Sequence, residues 1–562
     1  MHHHLSMRSK VIIMVSVMAS LFLVALDQTI IATALGRIVE EFNAFDSLSW
    51  IVTAYLLTTT ITVPIAGKMS DLFGRRTVLL IGVAVFALGS LFSGMAESVD
   101  QLIYARAFQG IGGGIITANA FTIIGDLFEA RERGKWQGMI GAVFGLASVV
   151  GPLLGGWLTD AHNVFGLTTD WRWTFWINVP IAVAAFALIA IFCPPLRHDR
   201  KPVVDYVGAL LLTIALGTLV LAVDNTENIF KGLLDSTGLS LVGLRVIMYS
   251  IVIAAVGAFI MVERRAKEPI LPPHFFRNHN YVLLIGVATL FGAAFLGSIL
   301  YLTQFNQQVF AATPTQSGLM LLPMIVGLMA TSIASGQIIS KTGHYKIFMQ
   351  IGIVLATVMV GLLSTLTPSS TYAYEAVIMV FLGAGLGVVM PTLNLAVQNE
   401  FKQRELGAAT SSNQLFRSLG STIGIAVFGA LLTAGLANGL SGIQNDAYLQ
   451  LLKQNPTASK FGDFTNSNTL LNLNMPGTKA KITDGFTQSV AQLPAPVKAQ
   501  AKEQFNQKQS DYSDKVTKAF SESLQRIFLV SASLMLVATV LIFLIKEKPL
   551  KAASPDKTPG IA

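Results

Sequence analysis

Within "LVALDQTIIATAL", residues 23 to 35, stands the only ionisable side chain of an apolar run that extends from Val11 to Leu35, Asp27. A charge at the centre of a bilayer costs roughly 2.5–3.5 kcal/mol on insertion scales. Burial favours the protonated form of a carboxyl group, so Asp27 can load and release a proton near neutral pH. Ionised, the same group offers a negative charge to a cation, and a group able to hold either is the minimum device for exchange. The competing reading is structural, an Asp capped by a neighbouring helix or paired with an Arg. Arg106, in "YARAFQGIGGG" (104–114), does not give up its proton and so needs an acceptor wherever it is buried. Gln109 is its companion in the same stretch.

These residues need a scaffold, and composition says which kind. The chain has 562 residues, 52% hydrophobic and only 12% charged, where soluble domains carry about 25% charged residues. Mean hydropathy is +0.60. A polytopic membrane protein follows. Cys193 is the only cysteine, which leaves no intramolecular disulfide and no cysteine metal cluster. No metal-ligand cluster, Walker loop or nucleophile motif stands in the sequence, so neither an enzyme nor direct use of ATP is expected. The net charge of +8 is read through the placement of the positives and not as a sign of nucleic acid. The opening "MHHHLSM" is set aside as a tag remnant, and no cleavable signal is expected after it.

Apolar runs near 20 residues fall at about 11–35, 48–67, 77–96, 100–123, 135–158, 173–193, 204–223, 246–262, 281–306, 315–337, 347–366, 372–394, 407–436 and 526–545. An all-α protein with about fourteen spans is the expectation. Lys and Arg gather in alternate short connections, around Arg75 and Arg76, Arg131 to Lys135, Arg197 to Lys201, Arg264 to Arg277, Lys341 to Lys346, and Lys402 with Arg404. The positive-inside rule puts these connections and both termini in the cytoplasm. Residues 437–525 break the pattern as a long polar loop on the outer side, read as a helical hairpin, with a disordered polar loop as the alternative.

The halves repeat. With a shift of 273 residues, "RERG" (131–134) falls on "RELG" (404–407), "GIGGG" from Gly110 on "GAGLG" from Gly383, and Ser148, Gly151 and Gly156 on Ser421, Gly424 and Gly429. With a shift of 269, Gly67 and Gly74 meet Gly336 and Gly343. The chain then divides into 1–10, a six-helix bundle over 11–200, two additional helices over 201–268, five helices of a second bundle over 269–436, the outer loop 437–525, and a last helix with its tail over 526–562. Parallel repeats of this kind build transporters with the substrate site between the halves.

At this point the residues resemble a family. "GKMSDLFGRR" (67–76), "YARAFQGIGGG" (104–114), "GLASVVGPLLGGWL" (145–158), "LDQTIIATAL" (26–35) and "WRWTFWINVP" (171–180) are similar to marks of the major facilitator superfamily, in its fourteen-helix drug:proton antiporter branch. The resemblance implies two six-helix bundles related by a pseudo-two-fold axis, two extra central helices, and proton-coupled export of drugs or dyes from a bacterial cytoplasmic membrane by a monomer without cofactor. It implies roles in proton and cation coupling for Asp27, Arg106 and Gln109. Gly145, Gly151, Pro152, Gly155 and Gly156 match the antiporter motif, where small residues let helices approach and Pro allows a kink.

Gly67, Asp71, Gly74, Arg75 and Arg76 form a cytoplasmic latch in this reading, with Asp71 placed to pair with an Arg or to cap a helix N-terminus. Ordinary positive-inside charge would explain the arginines but not Asp71. The second copy has Ser340 where the first has the acid.

Tyr55, Phe295, Tyr301, Phe305, Asn413, Gln414 and Arg417 are candidates for a substrate cavity, with packing as the alternative for each, and Arg417 has no firm role. The C-terminal half lacks a deep acid, since Glu375 lies near the outer end of its helix and Glu400 and Glu405 near the cytoplasm. Exporters of divalent cations in the branch tend to carry one, so monovalent lipophilic cations or neutral amphiphiles are expected. The rival readings are export or flipping of lipids, fatty acids or lipid-linked envelope precursors, and a receptor or scaffold that keeps the fold without transport.

Overall fold

The computed structural model describes residues 6–42, 48–159, 163–164, 166–194, 203–223, 226–312, 314–440, 442–453, 464, 467–492 and 494–550. Most of the tag-like opening therefore lies outside the described residues. Among the described residues, fourteen helices are long and apolar enough to cross a membrane. They are α1 (Met7–Phe42), α2 (Leu48–Phe73), α3 (Arg75–Gly94), α4 (Val99–Leu127), α5 (Ala130–Thr159), α6 (Asn178–Phe192, after a short turn Trp173–Trp176) and α7 (Tyr206–Val223). The second set is α8 (Leu241–Glu263), α9 (His279–Val309), α10 (Leu322–Thr342), α11 (Lys346–Leu363), α12 (Tyr372–Glu400), α13 (Leu406–Gly439) and α14 (Ala495–Leu544). A two-stranded hairpin, Asn163–Val164 with Leu167–Thr168, is the one strand pairing among the described residues.

The repeat is visible in how glycines let helices touch. Gly112 of α4 sits on Gly82 and Phe86 of α3, and Gly385 of α12, 273 positions on, sits on Gly352 and Ala356 of α11. Gly110 meets the backbone of Tyr55 in α2, and its counterpart Gly383 meets the backbone of Met324 in α10. Gly151 of α5 packs on Thr29 of α1, and Gly424 of α13 on Ala293 of α9. Each half is thus built by the same set of close helix pairs. The extra helices α7 and α8 lie against α2 and α13, where Leu212, Leu216 and Phe259 share a cluster with Ile61, Ile65, Leu415 and Leu419.

Two ends of the bundle are distinguished by their connections. One, the basic face, gathers the Lys/Arg-rich loops and the C-terminal tail, whose Leu550 N–H donates to Gly343 O at 2.9 Å. The other, the hairpin face, carries the long segment between α13 and α14. That segment differs from the expected simple hairpin. Three short helices, Ala447–Lys453, Ser467–Asn474 and Pro476–Ser489, pack around the first half of α14, a single 50-residue helix that continues into the bundle. At 1.5 Å per residue it is about 75 Å long, against a hydrocarbon core of about 30 Å. Phe486 stacks on Phe505 at 4.1 Å, Tyr448 lies 5.2 Å from Tyr512, and Lys515 pairs with Asp446 at 2.7 Å. This segment therefore has its own aromatic core around α14, continuous with the core of the second bundle.

Candidate functional site

Asp27 lies in α1 with no exposed surface, and so does Gln109 in α4; Arg106 retains 1%. Arg106 Nη1 donates to Asp27 Oδ2 at 2.5 Å and to Gln109 Oε1 at 2.8 Å. Gln109 Nε2 donates to Asp27 Oδ1 at 2.9 Å. The guanidinium lies over two rings, Tyr55 at 4.3 Å and Phe175 at 5.7 Å. Two further residues complete the cluster. Asn178, at the start of α6, donates to Asp27 Oδ1 at 3.4 Å and to Ser90 Oγ at 3.0 Å, and Ser90 donates to Phe175 O at 2.9 Å.

A buried guanidinium and a buried carboxylate each carry a large desolvation cost, and mutual pairing offsets much of it. Asp27 is thus enclosed inside the first half, beside Arg106. Chemically, the cluster is a carboxylate with three donors around it. A proton on Asp27 removes the charge that holds Arg106.

The latch residues meet on the basic face. Arg75, 1% exposed, bonds to Asp71, to Asp126 Oδ2 from Nε at 2.7 Å, and to Ser70 Oγ at 2.5 Å. Asp71 also accepts the N–H of Ala408 at 3.0 Å, in the first turn of α13. Asp71 therefore fills both roles open to it, partner of an arginine and cap of a helix N-terminus, and the capped helix belongs to the other half. Gly74 starts α3 at φ +97°, a backbone that favours glycine. Gly67 faces Ser411 and Gly407, where a Cβ would collide. Arg76 turns away to Ala190 O and stays within the first half.

Asp126, Arg133 and Gln403 belong to the latch although sequence reasoning passed over them. Gln403 donates to Asp126 Oδ1 at 2.8 Å and to Gly125 O at 2.6 Å, while Arg133 donates to Gly125 O at 2.8 Å and Gln403 Oε1 at 3.1 Å. Further in, Gln137 donates to Gln398 at 3.2 Å, and Ser332 to Gly138 O at 2.8 Å. The halves close on each other toward this face.

In the antiporter motif, Gly145 packs on Met329 and Ile325 of α10, across the halves, while Gly151 packs on Thr29 of α1. Thr29 Oγ1 lies 3.1 Å from Ala147 O. Pro152 sits inside α5 and meets Gly318. Gly155 is buried and Gly156 half-buried on the same helix.

The expected substrate wall is mostly packing. Tyr301 is 3% exposed against Phe428, Phe305 is fully buried against Phe310, and Phe295 stacks on Phe291 and turns toward Ser298 and Met535 inside the second bundle. These rings fill the helix contacts of their own bundle. Asn413 donates to Asn394 at 2.7 Å, and Gln414 to the same oxygen at 3.3 Å. Arg417 bonds to Gln414 at 2.5 Å and forms no ion pair shown among the described residues. Together with Gln398 these side chains form a polar strip on α12 and α13. No group of three or more His, Cys, Asp or Glu able to hold a metal ion occurs among the described residues.

On the hairpin face, Glu41 pairs with Arg172 at 2.9 Å and accepts the Trp171 indole at 2.6 Å. Partial burial works against the carboxylate, but the Arg172 and Trp171 hydrogen bonds and the Arg172 charge outweigh it, holding Glu41 below the ordinary value of 4.5.

The model of the Major Facilitator Superfamily matches residues 17–425. An uncharacterized MFS-type transporter of Mycobacterium tuberculosis is 33% identical over 97% of this chain and 71% of its own length. The multidrug transporter protein MdtP of Bacillus subtilis is 36% identical over 76% of each chain, and multidrug resistance protein 3 of the same organism 35% identical over 78% of this chain and 81% of its own. Among solved structures, the human organic anion transporter MFSD10 superposes with a TM-score of 0.57 at 17% identity, covering 75% of this chain and 93% of the other. The proton:xylose symporter XylE gives 0.53 at 15%, covering 75% and 88%. At those identities the likeness is one of fold.

Proposed function

Because the chain belongs to the Major Facilitator Superfamily and is a transporter and not an enzyme, we propose that it is a proton-coupled exporter of hydrophobic, monovalent cationic or amphiphilic drugs and dyes. It works as a monomer in a bacterial cytoplasmic membrane, with both termini and the basic face in the cytoplasm, and draws its energy from the proton gradient.

The observation that carries the reading is the fully buried Asp27–Arg106 pair at 2.5 Å, with Gln109 and Asn178 as further donors. A structural ion pair at this depth is a costly way to join two helices, since apolar side chains of similar volume would do it as well. A pair that opens on protonation has a use that repays the cost. When Asp27 takes a proton from the outer side, Arg106 loses its counter-charge and the α1–α4 contact weakens. When the proton leaves toward the cytoplasm, the pair re-forms. Cargo is coupled through the same two helices. Relatives named as multidrug transporters support the substrate class.

One observation favours export of lipid-like amphiphiles as the second reading. A cavity of about 440 Å³ lies between α7, α8 and α13, walled by Leu216, Phe259, Phe276 and Leu419, with Arg264 at its rim. Its apolar walls suit an acyl chain.

The test is proton movement in inverted membrane vesicles carrying an imposed pH gradient, challenged with cationic dyes. Dye is expected to collapse the gradient with wild type and not with Asp27→Asn. A variant that responds as wild type does would remove Asp27 from the coupling. A wild type silent to every dye would bring the lipid reading forward.

A further inference from the structure

Glu375, set aside in the sequence as an outer-end residue, is fully buried in the structure. It stands in the first turn of α12, behind the N-cap Thr371, and faces Asn306 of α9, which is also fully buried. The two side chains lie against each other. Yet neither carboxyl oxygen of Glu375 and neither amide atom of Asn306 has a hydrogen-bond partner of ordinary geometry. Edge-on contacts from Phe305 to Phe310 and from Phe310 to Tyr372 link the same two helix ends.

Among the described residues no counter-charge stands near Glu375. On α12 itself the groups beside Glu375 are the phenols of Tyr372 and Tyr374, with Glu400 at the far end. α9 carries His279 at its basic-face end and the phenols of Tyr281 and Tyr301. α10 has Lys341 and α11 has Lys346, both at the basic face. α13 has Arg417 in its basic-face half, and the charged residues of α5 lie in its first two turns. In the outer segment, Lys479 is bonded to Ser513 and Lys515 to Asp446. An ionised carboxylate here would have neither donor nor cation, the most costly state for a buried acid. The neutral acid is the form this site accepts.

The repeat says where the site belongs. The N-caps of α4 and α12, Ser98 and Thr371, are 273 positions apart. By that shift α1 and α4 correspond to α9 and α12, and Arg106 corresponds to Met379, one turn inward of Glu375. The first half places its buried acid on the first helix of the pair, facing a cation and an amide on the fourth. The second half places its acid on the fourth helix, facing an amide on the first.

We propose that Glu375, held against Asn306, is a second proton-binding site of this transporter, loaded from the hairpin-face side. A proton from outer water binds a carboxyl oxygen of Glu375, the neutral acid is then buried as α9 and α12 close on each other, and the proton returns to water when they part. This rests on the proton-coupled reading given above and adds a site in the other half.

Infrared spectroscopy of the purified full-length protein tests it without any transported dye. At neutral pH, wild type should show a protonated-carboxyl C=O band that shifts in heavy water. Glu375→Gln should lose that band, and Asp27→Asn should keep it. A band unchanged in Glu375→Gln overturns the proposal. If Glu375→Gln does not give monodisperse protein, Asn306→Leu keeps the acid and changes the group facing it. The same band should then move in frequency, and a band that stays in place overturns the proposal. Because the readout needs no cargo, a wild type silent to dyes in vesicles would remove the drug-export reading while leaving the Glu375 band to decide this one.

Discussion

Replacing Asp71 by Asn is the sharpest perturbation of the closed basic face. The amide oxygen can still accept the Ala408 N–H, now found at 3.0 Å, so the geometry of the contact survives and only the charge goes. A charge at a partly buried helix N-terminus contributes about 1–2 kcal/mol. A charge-assisted hydrogen bond is roughly twice as strong as a neutral one, which adds about 1 kcal/mol. Arg75 keeps Asp126 at 2.7 Å, so its own charge is not stranded and the larger cost of an unpaired buried ion does not apply. The closed form should lose roughly 2 kcal/mol relative to the open one, a shift of roughly 30-fold at 1.36 kcal/mol per decade. Spin labels on Phe73 and Lys341, exposed on the two halves, in a Cys193→Ser background, would read the separation of the basic-face ends. The long-distance population should grow in Asp71→Asn. It should grow as well in Gly407→Ala, whose Cβ would fall 2.3 Å from Asp71 Oδ1 and 2.6 Å from Arg75 Nη1. Unchanged distance distributions in both variants would refute the role of Asp71 as a clamp between the halves.

Three other outcomes follow from the same geometry. Asp27→Asn should lower stability by about 3–5 kcal/mol, because it strands the buried Arg106 charge; the double variant with Arg106→Gln should recover most of it, as read by thermal unfolding in detergent. Gly151→Val should force α5 from α1, since even a Cβ would sit 2.0 Å from Thr29 Oγ1, and faster passive proton leak into proteoliposomes is the measurement. Arg172→Ala should cost at most about 1 kcal/mol, as the pair is partly solvated. Because the folded carboxyl of Glu41 lies below its ordinary value of 4.5, that contribution is full above 4.5 and vanishes as pH falls through the lower folded value. The gap in melting temperature between wild type and variant should close over that window.

What sequence could show depended on contrast. Asp27 and Arg106 stood out because each is a lone charge in an apolar run, and Gln109 because it lies one turn from Arg106. Asp71 was legible because an acid among loop arginines has no positive-inside explanation. Asn178 and Ser90 were not legible: neither is ionisable, and the 151 residues between Asn178 and Asp27 give no spacing relation to read. Asp126 was passed over because its place beside Arg75 arises only when α3 and α4 pack. Glu375 does lie at a helix end, but its burial was not legible, because position along a helix says nothing about what covers it. The 50-residue α14 was split in two by hydropathy, which falls outside the membrane although the backbone continues. Aromatic residues mark burial in the sequence but not the direction of it, so Tyr301 and Phe305 were assigned to a cavity wall and are found inside a bundle.

One helix joins the two charged layers of the first half. α4 carries Arg106 near its hairpin-face end and Asp126 near its basic-face end, 20 residues apart, or about 30 Å along a helix. Arg106 holds α4 to Asp27 of α1, and Asp126 holds Arg75 and Gln403 at the junction with the second half. Between them Gly110, Gly112 and Gly114 press α4 against α2 and α3 with no side chain to cushion the contact. A rod seated this closely cannot bend locally to absorb a change at one end, because packed interiors transmit strain. Loss of the Asp27 charge removes the restraint on the Arg106 end, and any tilt that follows is delivered to Asp126. On the proton-coupled reading proposed above, a proton bound at Asp27 bears on the clamp that holds both halves together, without cargo and proton needing to meet at one residue.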